Sequence, residues 1–242
     1  MTGTIINIGT VLIGGLIGLL VGARFSDRVR DTVISVLGLF TLAVGILTFL
    51  DGVNVEGERI LIPLVSLLIG GMLGEWWRIE ARLQDLGAAL EKRFAGGDGE
   101  VTQENQFIRG FLTASLLFCV GPMTILGSIQ DGLTGDYELL AIKAVLDGFA
   151  AMALASTFGV GVLFSVLVVL VVQGGLTLLA SQMQVFFTEV MIAELSVVGG
   201  ILLLAIAIGS LLELRPIRTG NLLPSLLVAP VLVIVLTLLG LG

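Results

Sequence analysis

Apolar residues run through this chain in blocks of about twenty, divided by short polar stretches, with no strand-like alternation and no narrow soluble-helix stripe. A helix rising 1.5 Å per residue needs about that length to cross a hydrocarbon layer of roughly 30 Å. About eight such blocks are read: 4–23, 32–50, 60–77, 107–129, 139–157, 160–180, 192–212 and 222–241. One stretch follows a different period. Ile79, Leu83, Leu86, Leu90 and Phe94 recur at three and four residues among Arg78, Glu80, Arg82, Asp85, Glu91, Lys92 and Arg93, which predicts an amphipathic helix lying along a membrane face.

The fourth block is interrupted at Gly121-Pro122. Proline has no amide hydrogen and crowds the preceding turn, so it stops or kinks a helix. Within a bilayer such a break survives only against protein or water. The residues beyond it, Asp131, Asp136, Glu138, Lys143 and Asp147, gather charge in an otherwise apolar region, and intramembrane carboxylates point to a functional site.

Composition agrees with a membrane chain: 56% hydrophobic and 13% charged residues, with a mean hydropathy of +1.11. A soluble domain carries roughly a quarter charged residues. The chain has 33 glycines, and small residues let helices approach where lipid supplies no hydrophobic drive. Gly14, Gly18 and Gly22 form a stripe in the first block, and LIGGMLG at 68–74 nearly repeats LIGGLIG at 12–18, so close helix packing along small-residue seams is expected, a homo-oligomer built on those seams being the alternative. One cysteine, Cys119, and no histidine argue against a disulfide framework, haem and most zinc chemistry. Nucleic acid is not an expected partner. The start of the chain lacks a basic region and a cleavage site, so the first block reads as a retained helix.

Arg24, Arg28, Arg30, Arg78, Arg82, Lys92, Arg93, Arg109, Arg215 and Arg218 fall beside the loops after blocks one, three and seven. Alternating crossings put those loops on one side, which basic residues mark as cytoplasmic, with both termini outside. Asp51, Glu56, Glu58, Asp136, Glu138 and Glu189 take the other side, Arg59 being the exception. Sliding the chain by 161 residues aligns Gly14 with Gly175, Phe25 with Phe186, Gly38 with Gly199 and Pro63 with Pro224. The first three blocks then match the last three upside down, an inverted repeat of the kind on which secondary transporters are built. The expected organisation is a three-span unit with its amphipathic helix over 1–94, a polar cytoplasmic linker over 95–106, a broken central pair over 107–158 and an inverted three-span unit over 159–242.

Candidate ligating groups follow from polar residues inside or beside these blocks. Asp147 lies one turn after Lys143, so the two share a face and form either a structural ion pair or a working carboxylate. Gln130, Asp131 and Ser128 line the end after the break or cap a surface turn, and Thr124 sits just past Pro122. Glu194 and Asn221 stand near helix starts, where a carboxylate or a cap is also expected. Asn7 and Gln173 are internal amides of the kind that join helices. No phosphate-binding G-x-x-x-x-G-K-[ST] loop is present, so transport would draw on ion gradients.

FCVGPMTILGSIQDGLTGD at 118–136, KAVLDG at 143–148, GVGVLFS at 159–165, QGG at 173–175, 194–200 and NLLP at 221–224 resemble the pattern of the YqgA-like family, bacterial multi-pass membrane proteins of unknown function. The N-terminal GTIINIGTVLIGGLIGLLVG is similar too. The resemblance implies a place for Gly121, Pro122, Thr124, Gly127, Gln130, Asp131, Gly132, Asp147, Gly148, Gln173, Glu194, Asn221 and Pro224 in the family motif, and no substrate. The reading is an all-α polytopic protein of the bacterial inner membrane and not an enzyme. Its expected function is a gradient-driven transporter or channel for a small ion or solute. Asp131, Asp147 and Glu194 would hold a cation or proton, and Asp131 with Asp147 a monovalent metal ion. The alternatives are a non-transporting oligomeric scaffold and, third, an intramembrane aspartyl hydrolase, for which GLTGD at 132–136 only approximates the usual motif.

Overall fold

The computed structural model describes residues 1–55, 59–93, 101–180 and 188–239. Among these there is no strand, and the main helices run in the order α1 (Thr2–Gly22), α2 (Asp27–Val53), α3 (Leu61–Trp77), α4 (Ile79–Glu91), α5 (Val101–Val120), α6 (Pro122–Leu133), α7 (Glu138–Phe158), α8 (Ser165–Leu178), α9 (Glu189–Ile206) and α10 (Ser225–Leu238). By length and apolarity, five helical stretches can cross a membrane, and α5 with α6 makes a sixth although it bends by 62° at its break. α3, at 17 residues, falls just short.

One of the five stretches, Glu138–Leu178, is 41 residues long and is not one straight span. Gly159 ends α7 at φ +78°, a backbone geometry costly for a residue with a Cβ, and a 3-10 turn over Gly159–Phe164 leads into α8. The neighbours of α1 show that the chain reverses there. Gly14, Gly18 and Gly22 face the carbonyls of Gly148, Met152 and Ser156, so α1 and α7 run parallel, whereas Gly15 meets Leu163 and Asn7 meets Gln173, so α8 runs back against α1. The turn between them packs on α5, where a Cβ at Gly161 would lie 2.1 Å from the Phe107 carbonyl oxygen.

Two further pairs are antiparallel. α2 lies along α9, with Gly52 against Ala193 and Gly45 against Gly200, and α3 lies along α10, with Gly70 against Ser225 and Gly74 against Asn221. α9 is the central helix: 78% of its apolar window is buried, against 17–39% in the other four stretches. Val198, Leu202 and Ile206 of α9 join Val11 of α1, Phe118 of α5 and Leu154 of α7 in one core. The glycine seams of α1 and α3 are thus filled from within the chain.

The amphipathic stretch forms α4, entered through a left-handed Arg78 at φ 52°. Its Gly87 meets the ring of Phe111 on α5. Phe94, the 95–100 part of the expected linker, and Glu56 and Glu58 lie outside the described residues. α5 begins at Val101, inside the stretch read as linker.

Candidate functional site

The break between α5 and α6 is repaired locally. In a continuous helix the Phe118 carbonyl would accept from the amide of residue 122, which is proline and has none. The buried hydroxyl of Thr124 donates to that carbonyl instead, at 3.1 Å. Ser128, also buried, donates to the carbonyl of Thr124. Both hydroxyls expected to face a ligand are therefore turned onto their own backbone. Gln130, two residues further, is exposed.

Asp131 at the far end of α6 is buried and serves α1. Its Oδ2 accepts from the Gly3 amide at 3.0 Å and lies 2.9 Å from the amino group of Met1, which satisfies an orphan donor at a helix N-terminus from another helix.

One turn along α1 the second carboxylate appears in a different setting. Asp147 of α7 is ion-paired with Lys143, and both residues are buried, at 8% and 5% exposure. Asn7 of α1 donates from Nδ2 to Asp147 Oδ2 at 3.0 Å and to Gln173 Oε1 of α8 at 2.8 Å. Gln173 Nε2 donates to Thr4 Oγ1 at 3.3 Å, and the Thr4 and Thr177 hydroxyls stand 3.4 Å apart. Thr177 in turn donates to the Gln173 carbonyl at 2.9 Å. Asn7, Gln173 and Thr4 have no exposed surface. The parallel and antiparallel packing of α7 and α8 on α1 brings these side chains together, and the glycine contacts of α1 set how close they come. Asn7 Oδ1 is buried and has no hydrogen-bond partner among the described residues. Cys119, just before the break on α5, lies within electrostatic range of Lys143 and Asp147.

Of the sequence-predicted residues, Asn7, Asp147 and Gln173 thus share one site. Thr4 and Thr177 were not among the predicted residues, although each stands on the same helix face as a predicted amide, three residues before Asn7 and four after Gln173. Glu194 lies elsewhere, fully buried in α9, where its Oε1 accepts from the Arg59 amide at 3.1 Å.

Asn221 is also remote, and it caps a helix other than the one it precedes. Its Oδ1 accepts from the Glu80 amide at 2.8 Å, in the first turn of α4, while its Nδ2 donates to Glu75 at the end of α3. The cause is the close approach of Gly74, where a Cβ would lie 1.9 Å from the Asn221 carbonyl oxygen. Glu75 also pairs with Arg218. Glu80 Oε2 accepts from the Gly220 amide at 3.0 Å. Half-buried in this elbow, the Glu80 carboxyl is pushed above its ordinary value by desolvation, against the lowering effects of the Gly220 amide and the Arg218 charge.

Among the described residues no group of three or more His, Cys, Asp or Glu side chains could hold a metal ion. The main site offers a buried carboxylate with its own internal cation and a chain of amides and hydroxyls.

A family model described as "Protein of unknown function (DUF554)" matches residues 2–234. The chain is similar to the "Uncharacterized membrane protein YdfK" of Bacillus subtilis (strain 168), 35% identical over 241 residues, which cover 100% of this chain and 99% of that one. It is also similar to the "Uncharacterized protein YqgA" of Escherichia coli (strain K12), 31% identical over 227 residues and 94% of each chain. No solved structure matches it. With its apolar helices, its whole-length match to a membrane protein and the motif around the α5–α6 break, the chain belongs to the DUF554 family of membrane proteins.

Proposed function

We propose that this protein is a gradient-driven carrier of a small ion or solute, not an enzyme, and that Asp147 with Lys143, Asn7 and Gln173 is its site. The observation that carries the reading is the burial of an ion pair and two amides between three apolar helices, next to a helix break. A charge at that depth is costly unless it is paired. Structure alone could be maintained there more cheaply by apolar side chains of similar volume, which often replace a buried pair with no loss of stability. A scaffold would turn its glycine seams outward, and those of α1 and α3 are filled by α7 and α10.

The proposed architecture has eight crossings in the inner membrane, with basic loops cytoplasmic and both termini outside. It is supported by the packing directions: α8, α9 and α10, the inverted counterparts of α1, α2 and α3, each lie antiparallel against their own mate. The site would then sit where one copy meets the other and the central pair, as in carriers built from inverted repeats. Asp131 and Asp147 face successive turns of α1 and have separate partners, which gives no support to a carboxylate dyad sharing one water.

The test separates transport from stability. Asp147→Asn alone leaves Lys143 buried and unpaired and costs about 3–5 kcal/mol. Combining it with Lys143→Met removes both charges and restores most of that loss. In proteoliposomes the double variant should be folded and inactive, and flux at the wild-type level from it would refute the reading.

A further inference from the structure

Hydrogen-bond directions around Asn7 leave one buried oxygen without a donor. Thr177 gives its hydroxyl proton to the Gln173 carbonyl, so toward Thr4 it can only accept. Thr4 accepts from Gln173 Nε2, which fixes that amide with Oε1 toward Asn7. Asn7 then commits both Nδ2 protons, one to Gln173 and one to Asp147. Turning the Asn7 amide over would set its oxygen against two other oxygens, so its orientation is determined. Asn7 has no exposed surface, and its Oδ1 has no partner among the described residues. A buried acceptor in that state is costly, and it calls for a guest that donates.

The opposite need stands across the same carboxylate oxygen. Lys143 Nζ and Asn7 Nδ2 both reach Asp147 Oδ2, so the free Asn7 oxygen and the lysine nitrogen flank one atom. Whichever partner holds the proton shared by Lys143 and Asp147, two further N–H groups remain on Nζ, and no acceptor among the described residues takes them. The pair also carries no net charge in either case. The other groups facing it are neutral or committed: α5 presents Cys119, α8 presents Gln173 and Thr177, and Asp131 of α6 is held by the first turn of α1. A guest with a net charge of either sign would therefore be an uncompensated ion among apolar helices.

We infer that the site takes a small uncharged solute bearing a hydrogen-bond donor beside an acceptor, of the amide or urea class. Its N–H donates to Asn7 Oδ1 and its carbonyl accepts from Lys143 Nζ, while Asp147 holds both protein groups in place. No proton or electron is transferred, and no covalent bond forms or breaks. This inference rests on the carrier reading of the same site and gives it a substrate class, moved down its own gradient.

The experiment follows the volume of proteoliposomes containing the full chain by stopped-flow light scattering, under inward gradients of urea, acetamide, NaCl or KCl. A protonophore relieves any membrane potential, and protein-free liposomes give the baseline. Urea and acetamide should enter faster than the baseline and the two salts should not. Against uptake of labelled urea, acetamide should compete, whereas N,N-dimethylacetamide, which keeps the carbonyl and has no N–H, should compete at least about tenfold less well. That comparison needs no variant. Asn7→Leu, which removes the acceptor, should lose urea uptake while still eluting as a folded protein. Urea uptake at the baseline, the result for an oxygen satisfied by internal water only, overturns the inference. Equal competition by the two acetamides, or wild-type urea uptake from folded Asn7→Leu, does the same. If a salt crosses instead and its passage depends on Asp147, the carrier reading stands and only the uncharged guest is lost. If none of the four crosses, both fall.

Discussion

The α1–α7 seam makes one substitution act in opposite directions at two places on the same helix. At Gly14 an added Cβ would lie 2.0 Å from the carbonyl oxygen of Gly148, where ordinary contact begins at 3.4 Å. The obstacle is backbone and cannot swing aside. Gly18 and Gly22, one and two turns on, make the same kind of approach at 2.1 and 2.4 Å, so tilting cannot relieve the clash at Gly14 without opening the rest. At Gly9 an added Cβ meets nothing within 4 Å. Replacing glycine by alanine in a helix gains about 1 kcal/mol from backbone entropy. Forcing a methyl into a packed interface costs about 1–3 kcal/mol, and the contact at Gly14 belongs at the upper end of that range. Gly14→Ala should therefore lose about 2 kcal/mol and Gly9→Ala should gain about 1 kcal/mol. For a chain of this length, 1 kcal/mol moves the midpoint by about 2–4 °C, so the two variants should separate by about 6–12 °C around the wild type. The assay is the folded fraction recovered by size exclusion after heating the detergent-solubilised protein. Equal midpoints for the two variants, or a stabilised Gly14→Ala, would refute the seam. Asn7 is only two turns from Gly14, so Gly14→Ala should also impair flux while Gly9→Ala should not.

The repair of the break predicts that Thr124→Val, which keeps the shape and removes the donor, loses about 1–3 kcal/mol, while Thr124→Ser stays near wild type; a wild-type midpoint for the valine variant would show that the Phe118 carbonyl does not need the hydroxyl. The Glu80 elbow predicts a pH dependence of defined sign. A carboxyl raised on folding binds its proton more tightly in the folded state, so its contribution is fully present below the ordinary carboxylate value and is lost as pH rises through the raised value. Glu80→Gln should match wild type at acid pH and melt higher than wild type at neutral pH, and an equal offset at both pH values would contradict this.

How much of this was legible in the chain depends on how local the governing physics is. The stop at Pro122, the amphipathic period of α4 and the pairing of Lys143 with Asp147 four residues later are decided within a turn or two, and each is found where the pattern put it, whereas of the eight apolar runs only five helical stretches, six with the bent α5–α6 pair, are long enough to cross a membrane. The residue that caps α4 is not local. Asn221 precedes the last helix and was read as its cap, yet it serves α4, 141 residues away, because Gly74 lets the two backbones touch. Asp131 likewise closes the start of α1, at a separation of 128 residues. What the pattern did dictate at these places is an obligation: a buried donor or carboxylate must find a partner, because neither lipid nor packed side chains will take it. Gln130, expected beside them, carries no such obligation because it ends up exposed. Glycines complete the argument. The spacing of Gly14, Gly18 and Gly22 announces a close helix neighbour without identifying it, and only once α7 is known to lie there, parallel and in contact, does Asn7 come within reach of Asp147. The seam that looks like packing is therefore what sets the geometry of the polar site, and a change in one should be felt in the other.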